Sequence, residues 1–310
     1  MKSNYKMYRV RKNHEDDLLK LENVIGVGIG DKIVAGVSTK RKCIRIYVEK
    51  KVSIASMFSK DIVPRTLDLI ETDVIEIGKI IALSFKHRLR PAKGGISIGH
   101  YKITAGTLGC LVRDRESKEI LILSNNHVLA QSNKAKIGDV IIQPGKHDKG
   151  ILGADEIATL ERFVKIKAKS WWRWWANPKN IVDCAIAKPF LSEDVSPEIL
   201  EIGIPTGIEL VDEDMELQKS GRTTGHTKGK VIDADVTVAV SYGNFTARFK
   251  HQIMASAMSA GGDSGSLVLN EKKAAVGLLF AGSEKVTILN PINDVLTLLD
   301  VELITDKNKE

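Results

Sequence analysis

Three side chains that could together perform nucleophilic catalysis occur in the order His127, Asp183 and Ser264. Ser264 follows an acidic residue and lies between glycines in the run 262–265, Gly-Asp-Ser-Gly. Glycines permit a tight turn that exposes the hydroxyl and directs backbone N–H groups to one point. Because a serine hydroxyl is a weak nucleophile, it needs a neighbouring base to take its proton. The pattern therefore predicts a hydrolase in which Ser264 is the nucleophile.

The contexts of His127 and Asp183 suit a base and the acid that orients it. His127 closely follows an apolar run, so we expect a strand to deliver it to a loop. Asp183 is embedded among apolar residues, which favours burial, and a buried carboxylate needs a partner. Two rival bases exist, His226 and His251, but nothing pairs His226 with a serine motif. We therefore expect His127, Asp183 and Ser264 to act together.

Composition and charge set the broad class. The chain has 310 residues, of which 43% are hydrophobic and 5% aromatic, as is ordinary for a soluble globular protein. This length allows a large buried core and favours two domains. The formal net charge is +7, but lysine and arginine are spread along the whole chain. A nucleic-acid partner is therefore not expected, since such proteins concentrate their cations in a patch.

The cysteines and the amino-terminal residues bear on the compartment. Cys43, Cys110 and Cys184 are widely spaced and odd in number, so we expect no disulfide framework. The residues after Met1 lack the apolar stretch of a secretory signal. No run approaches the ~18 apolar residues that a membrane span needs. We therefore expect a cytoplasmic protein with no transmembrane segment.

Residues 1–90 predict a small α/β domain. An amphipathic helix is expected first, followed by strands that are separated by a turn and by a helix or loop. A basic linker with proline and paired glycines follows and marks a domain boundary. The expected ranges are 13–23 for the helix, 24–30, 42–48 and 73–77 for the strands, 53–61 for the helix or loop and 86–95 for the linker, and a turn region is expected to begin at 31–32.

Residues 91–310 consist of short apolar runs separated by glycine, asparagine and aspartate. Regular short strands with turn signals between them are typical of an all-β barrel or sandwich. The sequence as a whole therefore predicts a mainly β protein with a small N-terminal α/β domain. The strand-like runs lie at 108–112, 120–123, 140–142, 181–186, 231–240, 266–269 and 274–280.

Two unusual segments invite functional interpretations. Gly26, Gly28 and Gly30 lack the rest of a nucleotide-binding fingerprint, so a glycine-rich strand is the favoured interpretation. All four tryptophans lie in the segment Trp171–Trp175. One interpretation is an exposed loop that binds a membrane surface, a partner or a substrate. The other is a loop folded onto its own barrel, with Arg173 stacked between the tryptophan rings.

Two further motifs resemble a known family. Ser220–Gly225, with the sequence Ser-Gly-Arg-Thr-Thr-Gly, is similar to a segment of the α-lytic protease and streptogrisin group of chymotrypsin-fold, trypsin-like serine proteases. Ala275–Ser283 resembles the strand that follows the nucleophile in that family and lines the specificity pocket. The resemblance extends from about Ala92 to about Leu299. Residues 13–90 resemble the N-terminal α/β extension of a bacterial trypsin-like subgroup.

The resemblance implies a chymotrypsin-like double β-barrel and a serine endopeptidase that works through an acyl-enzyme intermediate. His127, Asp183 and Ser264 would form the catalytic triad, and the N–H groups of Gly262 and Ser264 the oxyanion hole. Proteins or peptides would be the substrates, and no metal or organic cofactor is implied. The residues implied to bind the substrate side chain are Met258, Phe280, Ala281 and Gly282. Because the two segments that hold them contain no charged residue, we expect small or medium apolar side chains on the acyl side of the cut.

Departures from the family's pattern leave alternatives open. Phe280 stands where members of the family usually have a serine that hydrogen-bonds the buried aspartate. Ser266 stands where members often have a second glycine after the nucleophile motif. Val128 follows His127, whereas many members have a disulfide that closes the histidine loop. The first departure keeps open a catalytically weak or inactive peptide-binding module with the protease fold. A third interpretation is a protein that binds DNA or a membrane surface through its positive charge and the tryptophan segment.

Two expectations concern regulation. In the animal branch of the family, a new N-terminus pairs with the acid before the nucleophile, which is Asp263 in this chain. Either the basic linker Arg88–Lys93 is cut, or Asp263 has an internal partner and no cleavage is needed, and we favour the second. The N-terminal domain adds no obvious catalytic group, so that domain or the segment Trp171–Trp175 is expected to contact a regulatory or targeting partner.

Overall fold

A computed structural model describes residues 2–53, 56, 58–78, 85–168 and 179–308 of the chain. The chain divides into two compact units, Met1–Leu83 and Ser84–Glu310. The segment Trp171–Trp175 lies outside the described residues, as does part of the helix or loop predicted at 53–61. In the part of the chain that is described, no helix is long and apolar enough to cross a membrane.

In its described residues, the N-terminal unit contains one α-helix and a four-stranded sheet. The sheet order is β1-β2-β4-β3, in which β2 and β4 are parallel and the other pairs antiparallel. Val10 and Leu18 of the helix pack with Ile44 and Ile46 of the sheet in one apolar core. The elements are α1 Lys2–Leu18, β1 Val24–Val34, β2 Val37–Val48, β3 Thr66–Leu67 and β4 Ile70–Glu76.

Helix α1 begins and ends earlier than the predicted range 13–23. Met7, Val10 and Leu18 are buried, at spacings that follow the helical period. Leu19, in contrast, is 48% exposed. The buried stripe of the helix therefore starts at Met7, well before the predicted start.

The turn region predicted to begin at 31–32 contains its tight turn a few residues further along the chain. Strands β1 and β2 continue to pair as far as Val34 opposite Val37. Ala35 and Gly36 make the turn, with φ values of 48° and 81°. Two consecutive positive φ values give the two-residue hairpin turn whose twist matches that of the strands. The glycine run 26–30 lies within β1.

In the described part of the C-terminal unit, strands predominate and two α-helices lie among them. The helices are α2 Asn126–Leu129 and α3 Ile292–Leu299. The strands are β5 Ala92–Gly94, β6 Ser97–His100, β7 Gly106–Thr107, β8 Cys110–Asp114, β9 Ile120–Ser124, β10 Val140–Ile142, β11 Glu156–Phe163, β12 Lys179–Asn180, β13 Ala185–Pro189, β14 Val195–Ile199, β15 Gly207–Ile208, β16 Glu216–Gly221, β17 Gly225–Ser241, β18 Thr246–Ser256, β19 Leu267–Asn270, β20 Ala274–Gly282, β21 Val286–Pro291 and β22 Val301–Leu303.

Most of these strands form two curved sheets, and β5 and β14 pair with each other in a small parallel sheet of their own. The first has the order β22-β8-β9-β13-β11-β10-β6-β7. The second runs from β18 through β17, β16 and β19 to β20, and it closes into a ring because β21 pairs with both β18 and β20. The prediction of a mainly β, double-barrel fold with a small N-terminal α/β domain is thereby confirmed.

The strand predicted at 181–186 begins only at Ala185. The backbone of Asp183 is held by side chains instead of a neighbouring strand. Its N–H donates to Asn290 Oδ1 at 2.9 Å, and its carbonyl accepts from Asn125 Nδ2 at 2.7 Å. The chain just before β13 therefore departs from the sheet, and this departure places Asp183 at the site described below.

The described part of the C-terminal unit has four apolar clusters, one in the first barrel, one between the barrels and two mainly among the strands of the second barrel. Cys110, Cys184 and Leu278 belong to the cluster between the barrels, to which both sheets and α3 contribute. Burial raises the pKa of the Cys110 and Cys184 thiols. All three cysteines, Cys43 included, are buried and free.

Candidate active site

The pairing of two strands brings His127 and Asp183 together. Ser124, at the end of β9, lies opposite Ala185, at the start of β13. His127 follows on the single-turn helix α2, and Asp183 just precedes β13. His127 Nδ1 lies 2.7 Å from Asp183 Oδ2, and the His127 backbone N–H donates to Asp183 Oδ1 at 3.2 Å.

Burial and hydrogen bonding define the roles that this pair could play. The Asp183 side chain is fully buried, whereas 24% of the His127 side chain is exposed. With Nδ1 bonded to the carboxylate, the proton of the neutral imidazole belongs on Nδ1 and Nε2 is left as the base. The pair can therefore accept a proton at Nε2 while the carboxylate stabilises the resulting cation.

A third side chain, Tyr242, also bonds to the buried carboxylate. Its hydroxyl donates to Asp183 Oδ2 at 2.7 Å. Sequence reasoning missed this residue, because nothing in its local pattern distinguishes it from any other tyrosine next to a turn. Phe280, which stands where the family has a serine, is buried and packs on Phe249 with ring centroids 4.8 Å apart.

Ser264 follows a tight turn over residues 260–263. The Asp263 N–H donates to the Ala260 carbonyl at 3.0 Å, and Gly262 in the third position has a φ of 101°. A positive φ at that position defines a turn that strongly favours glycine. Gly265 has a φ of 98°, and a Cβ there would lie 2.2 Å from Ser124 Oγ. The glycine pattern thus reflects two distinct backbone requirements.

The two N–H groups expected to form an oxyanion hole are available. Among the described residues, the N–H groups of Gly262 and Ser264 donate to no acceptor. Their carbonyls, in contrast, are fixed by Thr107, whose hydroxyl donates to Gly262 O at 2.9 Å and whose N–H donates to Ser264 O at 2.8 Å. The carbonyls of Gly262 and Ser264 are therefore held by Thr107, and the N–H groups of these two residues remain unused.

The segments that carry His127 and Ser264 are neighbours. A Cβ at Gly106 would lie 2.4 Å from a methyl carbon of Val128 and 3.0 Å from the Ser264 carbonyl oxygen. Val128 directly follows His127 on helix α2. Only the absent side chain of Gly106 lets both segments approach so closely.

Two cavities meet at the site. One, of about 730 Å³, is lined by His127 and by Val238–Tyr242, and the other, of about 460 Å³, is lined by Ser264 and Glu284. Residues Ala281–Ser283 border both cavities. A chain bound along this shared border would therefore reach both His127 and Ser264.

The acid before the candidate nucleophile has an internal partner. Asp263 and Lys219 are both fully buried, with 3.5 Å between Asp263 Oδ2 and Lys219 Nζ. Asp263 also accepts from the Thr223 N–H at 2.8 Å, the Thr224 hydroxyl at 2.7 Å and the Ala260 N–H at 2.9 Å. Burial lowers the pKa of Lys219, and the neighbouring Asp263 opposes that effect.

The Arg222 side chain lies beside the Ala260–Asp263 turn. Its Nε and Nη2 donate to the two carboxylate oxygens of Asp148 at 2.6 Å each. A Cβ at Gly262 would lie 2.5 Å from Arg222 Nη1. Burial alone would raise the pKa of Asp148, but the bonds from Arg222 hold it below its usual value. This buried pair joins residues from the two barrels beside the turn.

The structure separates the residues expected to bind the substrate side chain. Ala281 and Gly282 border both cavities, and Phe280 lines the larger one. Met258 instead packs in the apolar core of the second barrel. Of the rival histidines, His226 lies 3.0 Å from Gln218 Oε1 and His251 lies 3.1 Å from Asp235 Oδ1.

Comparison with known proteins gives a likeness at the level of structure. No protein-family model matches the chain, and no curated protein matches it. Among solved structures, the Nocardiopsis protease NAPase is similar at 18% identity and a TM-score of 0.51, over 69% of this chain and 98% of that one. Thermobifida fusca protease A has 18% identity and a TM-score of 0.49 over the same shares. The Cellulomonas bogoriensis chymotrypsin has 16% identity and a TM-score of 0.47, again over 69% and 98%.

The likeness to the Nocardiopsis protease shows the fold. The C-terminal unit has the chymotrypsin-like double β-barrel of bacterial serine proteases, and the resemblance found in the sequence is confirmed at that level. At 18% identity the comparison does not extend to activity. What the site does must be argued from its own geometry.

Proposed function

We propose that the protein is a serine endopeptidase that acts through His127, Asp183 and Ser264 and an acyl-enzyme intermediate. The observation that carries the proposal is the 2.7 Å hydrogen bond between His127 Nδ1 and the fully buried Asp183 carboxylate. A carboxylate in this place keeps Nε2 available as the base and stabilises the imidazolium that forms during the reaction.

The proposed reaction has two halves. Ser264 Oγ attacks the peptide carbonyl carbon while His127 Nε2 takes the hydroxyl proton. His127 then gives that proton to the leaving amine, so the C–N bond breaks and an ester remains on Ser264. Water attacks the ester carbon while His127 Nε2 takes a proton from the water. His127 then gives this proton to Ser264 Oγ, so the ester C–O bond breaks, the acid product leaves and the Ser264 hydroxyl is restored.

The free N–H groups of Gly262 and Ser264 would stabilise the tetrahedral intermediates. Negative charge develops on the substrate oxygen only as the carbonyl is attacked, so donors aimed at that oxygen favour the transition state over the substrate. One such donor is typically worth roughly 10²–10³ in rate. The turn that presents these groups is held by Asp263 and Thr107.

We also propose a preference for small or medium apolar side chains on the acyl side of the cut. The cavity beside Ser264 has Ala260, Leu279 and Ala281 among its lining residues. Glu284 also lines it but is exposed, so a basic side chain would gain only a solvent-screened attraction. A positional-scanning peptide library tests this preference, and dominant cleavage after Arg, Lys or Glu would contradict it.

The alternative is a peptide-binding module that keeps the fold without the activity. It arose because Phe280 replaces the serine that usually bonds to the buried acid. The Tyr242 hydroxyl donates to Asp183 at 2.7 Å, so the buried carboxylate does not lack this donor. This contact supports the catalytic proposal over the alternative.

A fluorophosphonate probe tests the proposed function, since it reacts with an activated serine. The parent protein is expected to be labelled at Ser264 and to cleave peptides, whereas Ser264→Ala abolishes both. Ser192→Ala is the control, because Ser192 is an exposed serine of the same unit that lines neither cavity of the site. Labelling that persists in Ser264→Ala, or no labelling of the parent, would refute the assignment.

We further propose that residues 91–310 form the peptidase domain and that residues 1–90 serve control or targeting. We also propose that activity needs no cleavage at Arg88–Lys93. The internal pairing of Asp263 with Lys219 supports the last point, because the acid has a cation without a new N-terminus. N-terminal sequencing of the active protein tests it. An active form that starts only near Gly94 would contradict it.

A further inference from the structure

The hairpin formed by β17 and β18 carries Tyr242 to the buried acid of the candidate active site. Tyr242 directly follows β17. Its hydroxyl lies 2.7 Å from Asp183 Oδ2, the same oxygen that pairs with His127 Nδ1. The Tyr242 ring also meets the His127 ring edge-on, with centroids 6.0 Å apart. One residue thus contacts both members of the pair.

Packing fixes the Tyr242 side chain. Its ring stacks on Phe245 with centroids 5.0 Å apart and an interplanar angle of 11°. Phe249 and Phe280 belong to the same apolar cluster. The ring therefore has a fixed place, and the hydroxyl is held at the carboxylate.

The chemistry of Tyr242 sets the direction of its hydrogen bond. Burial raises the pKa of the Tyr242 hydroxyl far above its usual range, and the neighbouring Asp183 carboxylate raises it further. The hydroxyl therefore stays protonated at neutral pH and acts as the donor to the carboxylate. Among the described residues, Asp183 and His127 are the titratable groups in contact with it.

The same hairpin also forms a wall of the larger cavity. Val238–Tyr242 line this cavity together with His127 and Phe280. A change in the position of the hairpin end would therefore act on two features at once, the shape of the cavity and the donor to Asp183.

We propose that Tyr242 is a positioning residue for the proposed peptidase reaction. Its hydroxyl holds the Asp183 carboxylate, and through it His127 Nε2, in the orientation that accepts the Ser264 proton. The inference rests on the proposed function and adds a residue that lies outside the catalytic triad. It also assigns to the β17–β18 hairpin the donor that the strand holding Phe280 lacks.

The proposal predicts a particular pH effect. A hydrogen bond from Tyr242 disperses part of the negative charge of Asp183. Without that donor, the carboxylate stabilises the His127 imidazolium more strongly, so the neutral base forms only at higher pH. The acid limb of the kcat/KM profile therefore moves to higher pH when the hydroxyl is removed.

The test compares Tyr242→Phe with the parent and with Tyr101→Phe. Tyr101 belongs to the first barrel, stacks on His100 and lines neither cavity of the site. In Tyr242→Phe we expect kcat to fall about tenfold, since a bond to a charged group is lost, with KM within about twofold of the parent. The acid limb moves to higher pH, whereas Tyr101→Phe changes neither quantity.

Two further measurements keep the proposal testable. Substitution of Tyr242 by 3-fluorotyrosine keeps the ring and the hydroxyl but makes a stronger donor, so the acid limb is expected to move to lower pH. The low-field NMR resonance of the His127 Nδ1 proton reports the pair without any substrate, and it is expected to shift in Tyr242→Phe. If Tyr242→Phe does not fold, the 3-fluorotyrosine protein decides: its acid limb and its His127 Nδ1 resonance are both expected to differ from those of the parent, and two unchanged values overturn the proposal.

The outcomes separate the two proposals. A parent protein without peptidase activity or probe labelling refutes the proposed function, and the His127 resonance then still shows whether Tyr242 acts on the pair. A Tyr242→Phe protein whose kcat, pH profile and His127 resonance all match the parent overturns the role of Tyr242. Loss of activity with an unmoved pH profile and resonance also overturns it, because that result would indicate a merely structural contribution.

Discussion

Asp183 and Asp263 are both fully buried in the C-terminal unit, yet their surroundings differ. Asp183 accepts hydrogen bonds from the backbone and ring of His127 and from the Tyr242 hydroxyl. None of these donors carries a permanent charge. Asp263, in contrast, lies 3.5 Å from the buried ammonium group of Lys219 and accepts from the Thr224 hydroxyl as well.

The comparison distinguishes a structural acid from an acid that can take part in catalysis. The negative charge of Asp263 is already compensated by a cation, so this carboxylate serves to hold the turn before Ser264. The charge of Asp183 is met by neutral donors, so it remains available to stabilise an imidazolium that forms during a reaction. The surroundings of each aspartate, and not its residue type, set its role.

The largest effect on activity is expected from substitution of Asp183 or of the two residues proposed to act with it. Asp183→Asn, His127→Ala and Ser264→Ala should each lower kcat by about 10⁴-fold or more, because the three residues act as a unit. Steady-state kinetics measures the loss, and urea unfolding checks that the fold is retained. A Ser264→Ala protein that cleaves substrate as fast as the parent would show that the triad is misassigned.

The next largest effect is expected at Asp263. Lys219→Met leaves a buried carboxylate without its cation and should lower the free energy of unfolding by about 3–5 kcal/mol. Adding Asp263→Asn removes the uncompensated charge and should recover much of the stability. Urea unfolding of the single and double variants measures both changes. Equal stability of Lys219→Met and the parent would mean that neutral donors suffice at Asp263 as they do at Asp183.

A third acid, Asp148, is expected to make the stability of the protein depend on pH. Its pKa is held below the ordinary value of 3.8 by Arg222 although burial opposes this. Its contribution to stability is therefore present above about pH 3.8 and is lost as the pH falls through the lowered pKa. Asp148→Asn should destabilise the protein at neutral pH and show a shallower loss of unfolding free energy in acid. Identical slopes for the two proteins would contradict the assignment.

The smallest effect is expected at Glu284, an acid that lines the cavity beside Ser264 but is exposed. Glu284→Gln should change the ratio of cleavage rates after basic and apolar side chains by less than about fivefold, because an exposed charge is screened by water. Glu271→Gln, at an exposed acid elsewhere in the barrel, is the control. A change of a hundredfold would mean that Glu284 acts as a buried counter-charge once substrate is bound.

Local sequence patterns predicted much of the architecture. Short apolar runs predicted the strands at 120–123, 140–142 and 274–280, which the structure has with small changes of boundary. The glycines around Ser264 predicted a tight turn, and the structure has one at Ala260–Asp263. Periodicity and turn chemistry depend on neighbouring residues, so a single sequence contains the information that they require.

Local patterns failed where a partner from elsewhere in the chain decides the conformation. The strand predicted at 181–186 starts late because Asp183 donates to the side chain of Asn290, which lies on β21. Helix α1 starts earlier than predicted because its buried stripe begins at Met7, and Val10 and Leu18 of this stripe pack on the sheet. In both cases, tertiary contacts override the local preference.

The sequence by itself determined the residues available for chemistry, their order His127, Asp183 and Ser264, and the strands that carry them. Only the tertiary structure decided which groups surround each acid. Lys219 on strand β16 pairs with Asp263, whereas Arg222 in the turn after β16 pairs with Asp148. Tyr242, which lies on a distant hairpin, donates to Asp183. These pairings exist only after the barrels close, because closure fixes the distances between residues that the chain itself leaves far apart.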